Sequence, residues 1–161
     1  MNQDTICALA TANGVGAIGI IRVSGEESFE IVNKVFQGKD LTKAKSHTVH
    51  YGFIVDVDEE REKRKEERGK RKEERNAIQN PTTDNQQPTT NNQQPTSEVI
   101  DEVMVSVFHA PKTFTTENSV EISFHGSPYI GKKILEVLIK NGCRMAKAGE
   151  FTMRAFMNGR I

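Results

Sequence analysis

Two charged residues each sit inside an otherwise apolar, strand-forming stretch. Arg22 lies near the end of Ile18-Gly19-Ile20-Ile21-Arg22-Val23, on the same face as Ile18 and Ile20. Glu121 is centred in Ser119-Val120-Glu121-Ile122-Ser123-Phe124, where Val120, Ile122 and Phe124 share one face and Ser119, Glu121 and Ser123 the other. A guanidinium at a strand end can close a structural ion pair or hold a ligand through charge-assisted hydrogen bonds. A carboxylate at such a position can line the solvated face of an antiparallel sheet or accept from a ligand. Both alternatives stand open on these residues alone. A third charge comes with the block GEFTMRAFMNGR at 149–160. It reads as a short helix with Phe151, Ala155 and Phe156 on one face and Asn158-Gly159 as its stop signal, delivering Arg160 just beyond. Phe151 and Phe156 are expected to pin this helix to the rest of the domain.

Other chemistries find less support. Gly14-Val15-Gly16-Ala17-Ile18-Gly19 matches the dinucleotide pattern GxGxxG, but that pattern needs a helix opening at the loop to bind pyrophosphate, and here a β-branched run follows. No GxxxxGK[ST] segment is present, so the chain has no GTP site of its own. The four histidines, His47, His50, His109 and His125, lack metal-ligand spacing with one another or with the cysteines. No nucleophile–base pair is supported. Cys7 and Cys143 occupy apolar contexts without CxxC spacing and read as reduced core cysteines.

The elements that must position these residues follow from periodicity. Residues 4–10 and 17–24 read as strands, and Ser24 followed by Glu27 is a capping-box signal for a helix to about residue 36 carrying Phe29, Val32 and Phe36. Strands are expected over 47–57 and 100–108, the latter apolar on both faces and so central in a sheet. After the strand at 119–124, a helix is expected over about 128–140 with Ile130, Ile134, Leu135 and Leu138 inward and Gly142 past its end. A short strand then precedes the terminal helix. The order β-β-α-β-β-β-α-(β)-α is that of an α+β domain, helices packed on a mostly antiparallel sheet.

Residues 58–97 interrupt this pattern. The tract 59–75 repeats EEREKRK, EERGKRK, EER, and 81–96 repeats PTTDNQQ, PTTNNQQ, PT. Neither seven-residue period has the apolar a and d positions of a coiled coil. The first reads as a solvated helix supported by i,i+4 pairs of opposite charge, the second as a polar linker with nothing to bury. The stretch is read as a low-complexity insertion within one domain of residues 1–161. It joins two neighbouring strands, where a longer surface loop costs only about 0.6 kcal/mol per doubling. Overall, 22 basic and 22 acidic residues balance, which argues against binding nucleic acid by charge alone. No apolar run approaches the roughly 18 residues of a membrane span and no basic leader precedes an apolar core, so a soluble, cytoplasmic protein is expected.

Several segments, in order, resemble one family: Asp4-Thr5-Ile6, Ile18 to Gly25 (IGIIRVSG), Ile100-Asp101-Glu102-Val103, Ala110-Pro111, Val120-Glu121-Ile122 with His125-Gly126, and the closing block. Together they are similar to the N-terminal domain of the tRNA modification GTPase family MnmE/TrmE, and the likeness covers nearly all of the chain outside the insertion. The resemblance implies the tetrahydrofolate-binding fold of aminomethyltransferases, binding of 5-formyltetrahydrofolate or another one-carbon tetrahydrofolate, and homodimerisation. It implies folate contacts at Arg22, Glu121 and Arg160, with no catalytic residue and no metal. It further implies a role in carbon-5 modification of the wobble uridine of tRNA, with the flavoprotein MnmG (GidA) and tRNA as partners of the full-length enzyme. The helical domain, the GTPase domain and the C-terminal cysteine motif of that family are not among these residues, so this chain alone is not expected to be catalytic. The alternative is a dimerisation scaffold without ligand binding. The chain departs from the family pattern in three places. Ala12-Asn13-Gly14 stands for Pro-Pro-Gly, Phe124-His125-Gly126-Ser127 for Cys-His-Gly-Gly, and Arg160 for the more usual lysine.

Overall fold

In a computed structural model, which describes residues 4–57, 59–79 and 97–161, the elements run in the order β1 (Ile6–Leu9), β2 (Ile18–Ser24), α1 (Ser28–Val35), β3 (Phe36–Gln37), β4 (Thr48–Val57), α2 (Glu59–Gln79), β5 (Ser97–Phe108), β6 (Ser119–His125), α3 (Pro128–Lys140), β7 (Arg144–Met145) and α4 (Glu150–Met157). The fold is α+β, as expected, with the strands in one seven-stranded sheet ordered β3-β4-β5-β6-β2-β1-β7. The β1–β2, β2–β6, β5–β6 and β3–β4 pairs are antiparallel, and β1–β7 is parallel. The chain divides into two units, one of Met1–Asp56 with Val99–Ile161, the other of Val57–Glu98.

The first unit is built by strand alternation. Ile21 and Val23 of β2, Val105 and Val107 of β5, and Val120, Ile122 and Phe124 of β6 all point to one face. There they meet Phe29, Val32 and Val35 of α1 and Ile134, Val137 and Leu138 of α3 in a single buried cluster. Each fully buried side chain of this size contributes about 1.5–3 kcal/mol, so this layer holds the domain together. Arg22 and Glu121, lying between those residues, are therefore on the opposite face. Gly19 and Gly131 explain how α3 and β2 approach so closely. A Cβ at Gly19 would lie 2.3 Å from the Phe124 ring, and one at Gly131 would lie 3.0 Å from it. The third glycine of the GxGxxG match thus makes room for a phenylalanine, and it sits in strand β2 as the apolar run required.

Three expectations need correction. The capping box is not formed. Strand β2 continues through Ser24, Gly25 turns the chain at φ +142°, and α1 begins at Ser28 without a side-chain cap from Glu27. The Ser24 hydroxyl is instead engaged with Thr115 and Glu117. Strand β5 is central, but it is not buried on both faces: Val103, Val105 and Val107 are covered while Met104 is exposed, because the second face of the sheet is open there. The inward face of α3 is as expected: Ile134 and Leu138 are buried, joined by Val137, and Ile130 and Leu135 are partly buried and packed against the core. The third correction concerns α4. Phe156 is 69% exposed, and the buried residues of this helix are Glu150, Arg154 and Ala155.

In the second unit, α2 is one helix over Glu59–Gln79, and its described side chains are exposed. Glu66 and Glu67 precede Lys70 and Arg71 by four residues, the spacing that supports a helix with no apolar stripe. The Pro/Thr/Asn/Gln repeats at 81–96 lie outside the described residues.

Candidate functional site

Strand register brings Arg22 and Glu121 together. They are direct partners across the antiparallel β2–β6 pair, where side chains on one face stand close enough to interact. Arg22 donates from Nε to Glu121 Oε1 at 3.0 Å, and its Nη2 lies 3.0 Å from the same oxygen. The side chains are 28% and 27% exposed. Both contacts converge on one oxygen. Among the described residues, Oε2 of Glu121 and Nη1 of Arg22 have no partner. The pair therefore keeps one acceptor and one donor unused, on side chains that are only partly buried. Two rings border the guanidinium: Arg22 Cζ lies 5.2 Å from the centroid of Phe114 and 5.9 Å from that of Phe151. Both distances fall within the range of cation–π attraction.

A loop and a helix hold these rings. The 109–118 segment folds back on itself: Ala110 donates its N–H to Asn118 Oδ1, and the Thr113 hydroxyl donates to the Glu117 carbonyl. It is tied to β2 by the Ser24–Thr115 hydroxyl contact at 2.6 Å and by Ser24 Oγ donating to Glu117 Oε2 at 2.7 Å. It is tied to α4 by Asn158 Nδ2, which donates to the Thr115 carbonyl at 2.8 Å.

The strongest anchor of α4 is Arg154, which is 2% exposed and donates to Glu117, Asp4 and Glu150. Arg144 on β7 donates to Asp4 and to both oxygens of Glu150. Glu150 also accepts the Lys147 backbone N–H at 2.8 Å. These donors, Arg144 first, hold the Glu150 carboxyl at about 2 against burial, and the Arg144 guanidinium lowers Asp4 as well. The network joins the first described residue, Asp4, to the last helix. Sequence reasoning, which singled out Phe151, Phe156 and Arg160 in this block, missed Arg154. The signal was present in the i,i+4 spacing of Glu150 and Arg154, with basic Arg144 nearby, but an amphipathic reading counts phenylalanines and discards charges.

Arg160 is not brought to the pair by any contact among the described residues. Its backbone N–H donates to the Ala155 carbonyl at 2.9 Å, closing the helix end beyond Gly159 at φ +74°, and its side chain is exposed. Of the three expected site residues, the structure thus joins two and leaves the third as an exposed cation after the helix that carries Phe151.

Space elsewhere in the unit has another origin. A cavity of about 710 Å3 lies between the glycine-rich loop and α3, lined by Leu9, Val15, Gly19, Phe124, Leu135 and Ile139 among others, and none of Arg22, Glu121 or Arg160 borders it. The loop is zipped to the end of β6 by Gly16 N–H donating to Gly126 O at 2.9 Å and Gly126 N–H donating to Ala17 O at 3.2 Å. A Cβ on Gly126 would meet the Gly16 oxygen at 2.3 Å. His125 contacts Asp101 through Nδ1 at 2.8 Å, which raises the imidazole pKa. His109 packs on Phe29 and contacts the Ala44 carbonyl. No cluster of metal-ligating side chains occurs among the described residues. Cys7 and Cys143 are buried and not joined in a disulfide, and the neighbouring Cys7 sulfur together with burial pushes the Cys143 thiol up. No helix among the described residues is long and apolar enough to cross a membrane.

Comparison with known proteins gives one consistent result. The chain matches the family described as GTP-binding protein TrmE N-terminus over residues 5–67 and 61–160. It is 44% identical over 161 residues to proteins named tRNA modification GTPase MnmE from Bacillus thuringiensis (strain Al Hakam), Bacillus cytotoxicus and Bacillus anthracis. Each match covers 100% of this chain and 27% of the relative, so the chain spans about a quarter of the length of the curated relatives it matches.

Proposed function

Because the chain belongs to the family of the TrmE N-terminus, we propose that it binds a one-carbon tetrahydrofolate, for which 5-formyltetrahydrofolate is the probe, and pairs with a second copy of itself. In this reading it serves carbon-5 modification of the wobble uridine within a cytoplasmic tRNA modification GTPase, whose flavoprotein partner MnmG and tRNA engage the longer enzyme. The observation that carries the folate reading is the half-open Arg22–Glu121 pair. A pterin presents its 2-amino group beside a ring N–H, two donors that a carboxylate accepts side by side. Glu121 Oε2 is the oxygen free to accept one of them, and the second reaches Oε1 only by sharing it with Arg22. A carbonyl stands next to those donors on the same ring edge, and Arg22 Nη1 is the donor not used by Glu121. Charge-assisted bonds of this kind contribute about 1.5–3 kcal/mol each. Arg160 supplies a cation for the ligand's carboxylates once the tail of α4 is drawn toward the pair.

Calorimetric titration with 5-formyltetrahydrofolate tests this reading. Glu121→Ala is expected to weaken binding about tenfold or more, a loss of about 1.4 kcal/mol; equal affinity in the variant would sink the assignment. The rival reading, a dimerisation scaffold without ligand, draws on the fact that Arg22 and Glu121 already satisfy part of each other. It predicts no heat with the wild-type chain. Pairing is measured by light scattering during size exclusion, where a strict monomer at tens of micromolar would count against it.

A further inference from the structure

Phe114 occupies a costly position for a large apolar side chain. It is 40% exposed, while Thr113 and Thr115 on either side are buried. The loop that carries it is bonded internally, to Ser24 on β2 and to Asn158 beyond α4. A ring held in water by a tied loop is held there by its surroundings, because leaving such a side chain exposed forgoes the stabilisation of burial. Arg22 Cζ lies over this ring, 5.2 Å from its centroid. A flat ligand that hydrogen-bonds the free Glu121 Oε2 would lie alongside the guanidinium that Glu121 Oε1 already engages. The ring that covers the guanidinium would then cover the ligand as well.

We propose that Phe114 is a specificity-determining wall of the folate site, stacking on the planar ring of the pterin while Arg22 and Glu121 read its edge. This rests on the folate reading given above. Stacking selects for a flat heterocycle, whereas the ion pair alone would accept any group that joins two donors to an acceptor. Phe151 of α4 also lies close to Arg22, its centroid 5.9 Å from Cζ.

The full chain is titrated with 5-formyltetrahydrofolate as wild type, Phe114→Leu, Phe114→Tyr and Glu121→Ala. Leucine keeps the apolar volume and removes the ring; it is expected to weaken binding by about tenfold, while tyrosine stays within about threefold. Proton spectra of the bound ligand give a second measurement. Ring protons of the pterin side should move upfield with the wild-type chain and lose that shift with Phe114→Leu, an effect that a purely structural role for Phe114 would not produce. If the wild type binds and Glu121→Ala does not, while Phe114→Leu binds as tightly as wild type, the wall is overturned and the folate reading stands. Absence of the upfield shift in the wild-type complex overturns it equally, even where the leucine variant folds poorly. If the wild type binds nothing, the folate reading itself falls and the wall with it.

Discussion

Two arginine–carboxylate assemblies meet the 109–118 loop, and they differ in completeness. Arg154 is 2% exposed and donates to three carboxylates, Glu117, Asp4 and Glu150. Arg22 is 28% exposed and touches a single oxygen of one carboxylate. The first assembly leaves little polar capacity unused, and its members come from the chain start, β7, the loop and α4. The second is built by strand register alone and keeps an acceptor and a donor open. A guanidinium walled in by carboxylates fixes a fold, whereas one left half-open beside a carboxylate is equipped to bind. Both occur within one small domain, so composition does not separate them; partners and exposure do.

The largest expected effect is on the closed assembly. Arg154→Ala should destabilise the chain by about 3–5 kcal/mol, because it strands Glu150 and Glu117 with reduced compensation in a covered site. Arg22→Ala should cost about 0.2–1 kcal/mol of stability, the range of exposed ion pairs, while removing folate binding. Chemical denaturation of both variants measures this difference. Equal losses of stability would break the comparison, since Arg22 would then be as structural as Arg154.

A smaller effect follows from pH. Glu150 is held at about 2 in the folded chain against an ordinary 4.5, mainly by Arg144, and Asp4 is lowered by the same guanidinium. A depressed carboxyl stabilises the folded state fully above its unfolded pKa and loses that contribution as pH falls through the folded one. The thermal midpoint should therefore decline as pH drops from 4.5 toward 2, and Glu150→Gln should start lower and decline less steeply. A wild-type midpoint that stays flat across that window would show that the closed assembly contributes little.

The two assemblies were not equally legible in the sequence. Arg22 and Glu121 stood out as charges within strand-forming runs, alternation fixed the faces of β2 and β6, and the family resemblance, not the spacing, singled the two out as site residues. The register that makes them partners is not local information, since the two residues are contributed by strands separated by most of the chain. Arg154 was hidden for the same reason in a stronger form. Its carboxylates come from residues 4, 117 and 150, and only folding shows that they converge. The terminal helix was located correctly and its buried face was not: hydrophobic periodicity assumes that a helix docks through its apolar side, and α4 docks through Glu150, Arg154 and Ala155. Phe114, flanked by threonines, gave no periodic signal at all. The turn at Gly25 defeated the capping-box reading because a strand may run through a residue type that also favours helix starts.

The smallest expected effect sharpens the comparison from outside. None of the residues in either assembly belongs to 58–97, and α2, where its side chains are described, is exposed and lacks an apolar stripe. We propose that this stretch is an insertion that the domain does not need. Replacing it with a short turn between β4 and β5 shortens a surface connection by roughly three doublings, which favours folding by about 2 kcal/mol at most. The shortened chain should therefore unfold at an equal or slightly higher temperature, with folate affinity unchanged within about twofold. If deletion left stability intact but weakened folate binding, the open pair would depend on residues outside its own strands and loop. If deletion unfolded the chain, β4 and β5 would owe their place in the sheet to the intervening residues. Only an unchanged result on both counts leaves the open and closed assemblies as properties of the first unit alone.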